Sequence, residues 1–92
     1  MAPSIQHLKN EHRFQYEQDE LIAYLEYSLD GTIMTIRHTW VPKALGGQGI
    51  AAQLTRCALE TAEQQQWQVV PACSYAERYI EKHQQYQKLL AH

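Results

Sequence analysis

No apolar run in this 92-residue chain approaches the roughly 18–20 residues that a membrane-spanning helix needs. The opening Met1-Ala2-Pro3-Ser4 has neither the basic nor the apolar region of a secretory signal. A cytoplasmic protein with no membrane partner is therefore expected. Positive charge is scarce and scattered: eight Lys and Arg stand against ten Asp and Glu, a net charge of −2, which speaks against a binder of the nucleic-acid backbone. Cysteine is limited to Cys57 and Cys73, in unlike contexts and without paired-ligand spacing. Neither a disulfide framework nor a metal site is expected, and both residues read as free thiols. Linkers and repeats are also missing, so the chain reads as a single domain over residues 1–92 with its core at about 13–90. A domain this short buries only about 60–65% of its unfolded surface. It has no room for separate cofactor and substrate domains, so any ligand must lie across the core elements themselves.

What the chain does have is period. Residues Arg13 to Tyr16 and Leu21 to Leu29 alternate apolar with polar, with Leu21, Ala23, Leu25, Tyr27 and Leu29 on one face, the signature of half-buried strands. Asp30-Gly31 supplies a hairpin turn, and Thr32 to His38 resumes the alternation. After Pro42 the spacing changes to three and four through Ile50, Leu54, Cys57, Ala58 and Ala62, which predicts an amphipathic helix over about Gln48–Gln65. Glutamine occurs twelve times, and its cluster at Gln64, Gln65 and Gln66 marks the solvated end of that helix. Trp67, Val69 and Val70 form a short strand stopped by Pro71. Ser74-Tyr75-Ala76-Glu77 has the spacing of a capping box, so a second helix is expected from Ser74, with a break near His83. The predicted order is β-β-β-α-β-α, an α+β chain with a mostly antiparallel sheet of about four strands.

Gly46-Gly47-Gln48-Gly49 stands at the mouth of the first helix. Glycines there can expose successive backbone amides in front of the positive end of a helix dipole, which is a place for phosphate. The same residues could simply turn the chain and allow close packing. Two phosphate motifs are tested directly. A P-loop fails because no Lys-Ser or Lys-Thr follows the glycines. Gly47-Gln48-Gly49-Ile50-Ala51-Ala52 does match G-x-G-x-x-A, yet the strand at Trp67 to Val70 offers no acidic residue for a ribose, and hairpin logic makes the neighbouring strands antiparallel.

Four stretches together carry a family resemblance: His38-Thr39-Trp40-Val41-Pro42; Leu45-Gly46-Gly47-Gln48-Gly49-Ile50-Ala51; Val70-Pro71-Ala72-Cys73-Ser74-Tyr75; and Tyr79-Ile80 with His83 and Tyr86. The chain resembles the YjdJ-like minimal N-acetyltransferases of the GNAT superfamily from about Phe14 to Leu90. The superfamily's pyrophosphate loop, Q/R-x-x-G-x-G/A, falls on Gly46-Gly47-Gln48-Gly49-Ile50-Ala51, with Gly46 where Gln or Arg is usual. The resemblance implies a truncated GNAT fold and acetyl-CoA (coenzyme A) as cofactor. It places the pyrophosphate on the amides of Gly46, Gly47, Gln48, Gly49, Ile50 and Ala51, and the pantetheine arm beside the strand ending near Val41. It implies acetyl transfer to an exposed amine of a small molecule or peptide. The alternative is a module that binds acyl-CoA or a partner without turnover.

Acetyl transfer needs an available nucleophile, a proton acceptor and donors for the thioester oxygen. Cys73 precedes a helix start, where the dipole and unpaired amides favour thiolate, and is the candidate nucleophile; the other reading is a small residue closing a strand. Cys57, on the apolar stripe of the first helix, reads as core filling. His38 is the candidate base for an amine or for the Cys73 thiol, or a strand-end histidine bonded to a carbonyl. Ser74 is a helix cap with a hydroxyl that could face the thioester. His83 and Tyr86 share an aromatic stripe that is either core or a wall of the cofactor cleft. Lys43 and Arg56 are phosphate neighbours or ordinary surface bases.

Overall fold

The computed structural model describes residues 5–91. Strands β1 (Ile5–Leu8), β2 (Arg13–Gln18), β3 (Leu21–Asp30) and β4 (Ile33–Trp40) form an antiparallel meander. Helix α1 (Ile50–Gln65) crosses over to β5 (Gln68–Pro71), which pairs parallel to β4, giving sheet order β1-β2-β3-β4-β5. Helix α2 (Ser74–Lys82) and a 3₁₀ segment (Gln84–Leu89) complete the chain. The fold is the expected α+β arrangement with one strand more than the periodicity predicts. That strand, β1, escapes the pattern because it is four residues long and carries a polar residue, His7, at the position opposite buried Phe14.

Tight turns set the register. Gly31 turns the β3–β4 hairpin at φ 62°, and Asp19 and Glu20 take left-handed conformations, φ 51° and 67°, between β2 and β3. Strand period then sorts side chains to two faces. One face carries Phe14, Tyr16, Ala23, Leu25, Tyr27, Met34, Ile36 and Val69, all buried. Onto it pack Ile50, Leu54, Ala58, Leu59 and Ala62 of α1, with Ala76 and Ile80 of α2 and Tyr86 and Leu89 of the 3₁₀ segment closing its flank. The other face has no helix over it among the described residues. Ile22, Ile33, Trp40 and Val70, all on that side by register, are the exposed large apolar residues of the sheet.

Both helices start later or differently than local spacing implies. The first begins at Ile50 rather than Gln48, because Gly49 at φ 74° and Gly47 at φ 80° are left-handed and cannot lie within a right-handed helix. At the second, Cys73 occupies the cap position with an extended backbone, and Ser74 is the first helical residue. The Ser74/Glu77 capping box is therefore not formed. The chain does break at His83, where α2 gives way to the 3₁₀ segment. No helix among the described residues is long and apolar enough to cross a membrane.

If the covered face is the core, Leu54→Ala, fully buried at 0% exposure, should cost about 2–5 kcal/mol in urea unfolding, while Ile22→Ala, 40% exposed on the open face, should cost well under half of that. Equal losses would contradict the assignment of faces.

Candidate functional site

The site lies where β4 parts from β5. The two strands pair only over Ile33–Ile36 and Gln68–Pro71, and the last bond between them runs from the Ala72 amide to the Ile36 carbonyl at 3.0 Å. β4 continues to Trp40 on β3 alone. A bulge marks the parting: Glu26 opposes His38 and Tyr27 opposes Ile36, leaving Arg37 without a partner. A bulge bends its strand and re-aims the side chains that follow.

At one side of this gap stands the glycine loop. A 3₁₀ turn over Lys43–Leu45 buries Leu45 and uses the Gly46 amide, which donates to the Lys43 carbonyl at 3.0 Å. Gly46 therefore contributes space rather than a donor. Among the described residues, the amides from Gly47 to Ala52 donate to no other group of the chain, and the first helical bond runs from Gln53 to the Gly49 carbonyl at 3.1 Å. A run of free amides before a helix of 16 residues has the geometry and dipole that suit an anion. A Cβ at Gly47 or Gly49 would meet open space. What glycine supplies there is positive φ, which costs other residues roughly 1–2 kcal/mol.

Across the gap is Cys73, half-buried. Its thiol donates to Thr39 Oγ1 at 3.7 Å. Burial alone would push the thiol up; the Ala76 amide, the Thr39 hydroxyl, the Tyr75 amide and the Thr39 backbone outweigh it, and the thiol lies below its ordinary value. Thr39 was given no role by the sequence reading, although it stands inside the His38-to-Pro42 motif. It opposes buried Leu25 and so faces the covered side, a placement that the bulge at Arg37 sets and that alternation along the strand does not signal.

His38 is placed differently from that reading. It opposes Glu26, is exposed, and its ring lies 5.8 Å from that of Tyr24, beside Arg13, which pairs with Glu26 at 2.9 Å. Neighbouring strand residues point to opposite faces, so His38 lies on the open side and Thr39, not His38, meets Cys73. A role for His38 as base of the thiol is corrected on that ground; access to an incoming amine is left. His83 stacks on Tyr79 at 4.0 Å with its Nδ1 2.8 Å from the Tyr79 carbonyl. Tyr86 is buried, and its hydroxyl donates to Glu60 of α1 at 3.4 Å. These rings join α2 to α1 beside the site. Val41 packs partly into the core, Ser74 is exposed on the first turn of α2, and Arg56 is paired with Glu60 at 2.9 Å while Lys43 is exposed by the loop. Cys57 packs against the core, and burial first, then the charge of Glu60, pushes its thiol up despite Arg56. Among the described residues no cluster of His, Cys, Asp and Glu could hold a metal ion.

With this geometry in view, two comparisons bear on the chain. A family model for GCN5-related N-acetyl-transferases matches residues 13–89. Among solved structures, that of a GCN5-like protein from Staphylococcus aureus, determined by NMR in solution, superposes with a TM-score of 0.74 at 30% identity, covering 96% of this chain and 87% of that one.

The two thiols provide a direct check of the site's electrostatics. Iodoacetamide at neutral pH should label Cys73 well before Cys57, and the Cys73 rate should rise through a lower pH than the ordinary thiol midpoint near about 8.5. Thr39→Val should slow Cys73 labelling several-fold at pH 7 and move its profile upward. Labelling of Cys57 first, or an unmoved profile in the valine variant, would remove the basis for an activated thiol.

Proposed function

The chain belongs to the GCN5-related N-acetyltransferase family and is an acetyltransferase; from that premise we propose that it moves acetyl from acetyl-coenzyme A to an exposed amine of a small molecule or peptide by way of Cys73. The observation that carries this reading is a single one: a thiol held by Thr39 and by first-turn amides stands at the parting of β4 and β5, across from a loop of unpaired amides.

The residues present fit the cofactor. The amides of Gly47, Gln48, Gly49, Ile50 and Ala51 would hold a diphosphate without metal, since they are unpaired, unobstructed by Cβ atoms at Gly47 and Gly49, and backed by a helix dipole. Val41, at the end of β4, would line the pantetheine arm; Ser74, His83 and Tyr86 would border it from α2 and beyond. When bound, acetyl-coenzyme A supplies an activated acyl group as a thioester.

The chain's own groups do the rest. Against burial, the Ala76 and Tyr75 amides and the Thr39 hydroxyl hold the Cys73 thiol below its ordinary value, which raises the share of Sγ present as thiolate. As thiolate, Sγ would accept the acetyl group, forming a carbon–sulfur bond as the donor's carbon–sulfur bond breaks and coenzyme A leaves as its own thiolate. A neutral amine then attacks the S-acetyl carbonyl, forming the amide, restoring the thiolate and releasing one proton. The proton released in that step lies on the Cys73 side of β4, which His38 does not face; the exposed imidazole would instead take the proton that an ammonium arriving over the open face must lose before it attacks. The bare sheet face, with Trp40 49% exposed at the end of β4, suits an acceptor presented on a surface better than one enclosed in a pocket.

Two experiments test the reading. Incubation with acetyl-coenzyme A and no acceptor should add one acetyl group to the intact mass, on the peptide containing Cys73. Cys73→Ala should abolish turnover while coenzyme A still raises the melting temperature, and His38→Ala should slow transfer to amine but not acetylation of the thiol. A Cys73→Ala protein that acetylates amines at the original rate would exclude the covalent route; coenzyme A binding with no turnover of any amine would favour a binding module.

The loop is tested separately. Gly49→Asn, which tolerates the left-handed conformation, should weaken coenzyme A binding at least several-fold by narrowing the approach to the amides, with little change in the melting temperature of the free protein. Unchanged affinity would mean that the loop amides do not carry the phosphate.

A further inference from the structure

A second cavity, of about 220 Å³, lies at the other end of α1, which at 1.5 Å per residue is about 24 Å from the glycine loop. It is lined by His7 of β1, Lys9 and His12 of the turn that follows, Tyr27 and Leu29 of β3, Gln65 at the end of α1, and Trp67. We propose that this cavity is a binding site for a small aromatic carboxylate.

Its walls are aromatic and set by the core. The Tyr27 and Trp67 rings are 6.3 Å apart and inclined at 44°, and Leu29 adds an aliphatic side. Rings at that spacing pack on each other, and Trp67, half-buried where Tyr27 is buried, offers the larger surface to a planar guest. The volume is below the range of drug-sized sites, which limits the guest to about one ring with a short polar group. The rim carries the opposite chemistry. His7, Lys9 and His12 converge from one short segment, and no carboxylate lines the cavity among the described residues. His7 is fixed by stacking on Phe14 at 4.1 Å and by a hydrogen bond between its Nε2 and the Tyr27 hydroxyl of 2.6 Å. His12 stacks on Tyr27 at 5.2 Å, held by its left-handed backbone at φ 52°.

Burial, then the charges of Lys9 and His12, push the His7 imidazole below the ordinary value. Glu60, in the neighbouring depression that His7 also borders, is engaged by Arg56 and Tyr86, and Glu11 lines an adjoining depression with His7 and Lys9 but does not line this cavity. A carboxylate at this rim would pair with the exposed Lys9 and accept hydrogen bonds from the two imidazoles, and a ring attached to it would rest on Trp67 and Leu29.

The experiment uses the full chain with Trp40→Phe, so that Trp67 is the sole indole, and follows its Nε1–H resonance together with the His7 ring signals. Benzoate, benzamide and acetate are titrated as probes: the first has ring and charge, the second the ring alone, the third the charge alone. Benzoate should shift both sets of signals saturably, and at least fivefold more tightly than either other probe. Adding Lys9→Gln and His12→Asn, both at exposed positions and the latter tolerant of positive φ, should reduce benzoate to the affinity of benzamide without changing the dispersion of the spectrum. No saturable shift, equal binding of benzamide, or equal binding of acetate would each overturn the proposal.

Discussion

Beyond Ile36 the fourth strand keeps its antiparallel partner and loses its parallel one, and the rest of the site follows from that loss. Backbone amides and carbonyls must be paired or reach water, so a strand leaving its neighbour opens a solvated gap. Two features enforce it. Pro71 ends β5 and has no amide to donate further along the ladder. The unpaired Arg37 bends β4. The chain after Pro71 then enters α2, and the contact spanning the gap is the side-chain bond between Cys73 and Thr39. The strand parting thus decides at once where a ligand can enter and which thiol it meets.

A chain with net charge −2 would hold an anion by direction rather than by charge. The amides from Gly47 to Ala52 are fixed because α1 is anchored by fully buried Leu54, Ala58 and Leu59 on the sheet. Positive φ at Gly47 and Gly49 aims them outward before the helix begins. Such donors need no counter-ion in the free protein and no reordering when an anion arrives, whereas lysines would have to give up side-chain freedom. Arg56, the cation nearest along the helix, is already committed to Glu60.

Much of this was legible in the residues, for reasons that also mark where legibility stops. β2, β3, β4 and α1 could be read because each has one face in the core and one in water, which leaves period 2 or period 3.6 in the sequence. β1 could not, because it turns His7 inward onto Phe14 and so lacks the apolar alternation. Ser74-x-x-Glu77 has the spacing of a cap, but the extended backbone at Cys73 sets the helix start one residue earlier, a tertiary outcome of the Ile36–Ala72 bond. The placement of His38 is the most instructive case. Met34 and Ile36 face the core, and unbroken alternation would send His38 the same way; the extra residue at Arg37 reverses the parity, so Thr39 faces inward and His38 outward. A one-residue bulge leaves no compositional sign, yet it decides which side chain meets the thiol.

That reversal has a chemical consequence. A histidine at the thiol would hold it as an ion pair and drive its pKa far down, and thiolates lose intrinsic nucleophilicity as their pKa falls, so the best attacking thiol has a pKa near the ambient pH. Here the opposing influences are a partly buried position, which raises the thiol, and neutral donors from Thr39, Tyr75 and Ala76, which lower it. Their balance lowers the thiol from its ordinary value without an adjacent cation. It also leaves the imidazole free on the other side of the strand, where an amine rather than a thiol must be relieved of a proton. On the proposed route the bulge would thus separate the two proton-transfer problems of acyl transfer, leaving one to neutral donors on the covered face and the other to the imidazole on the open face.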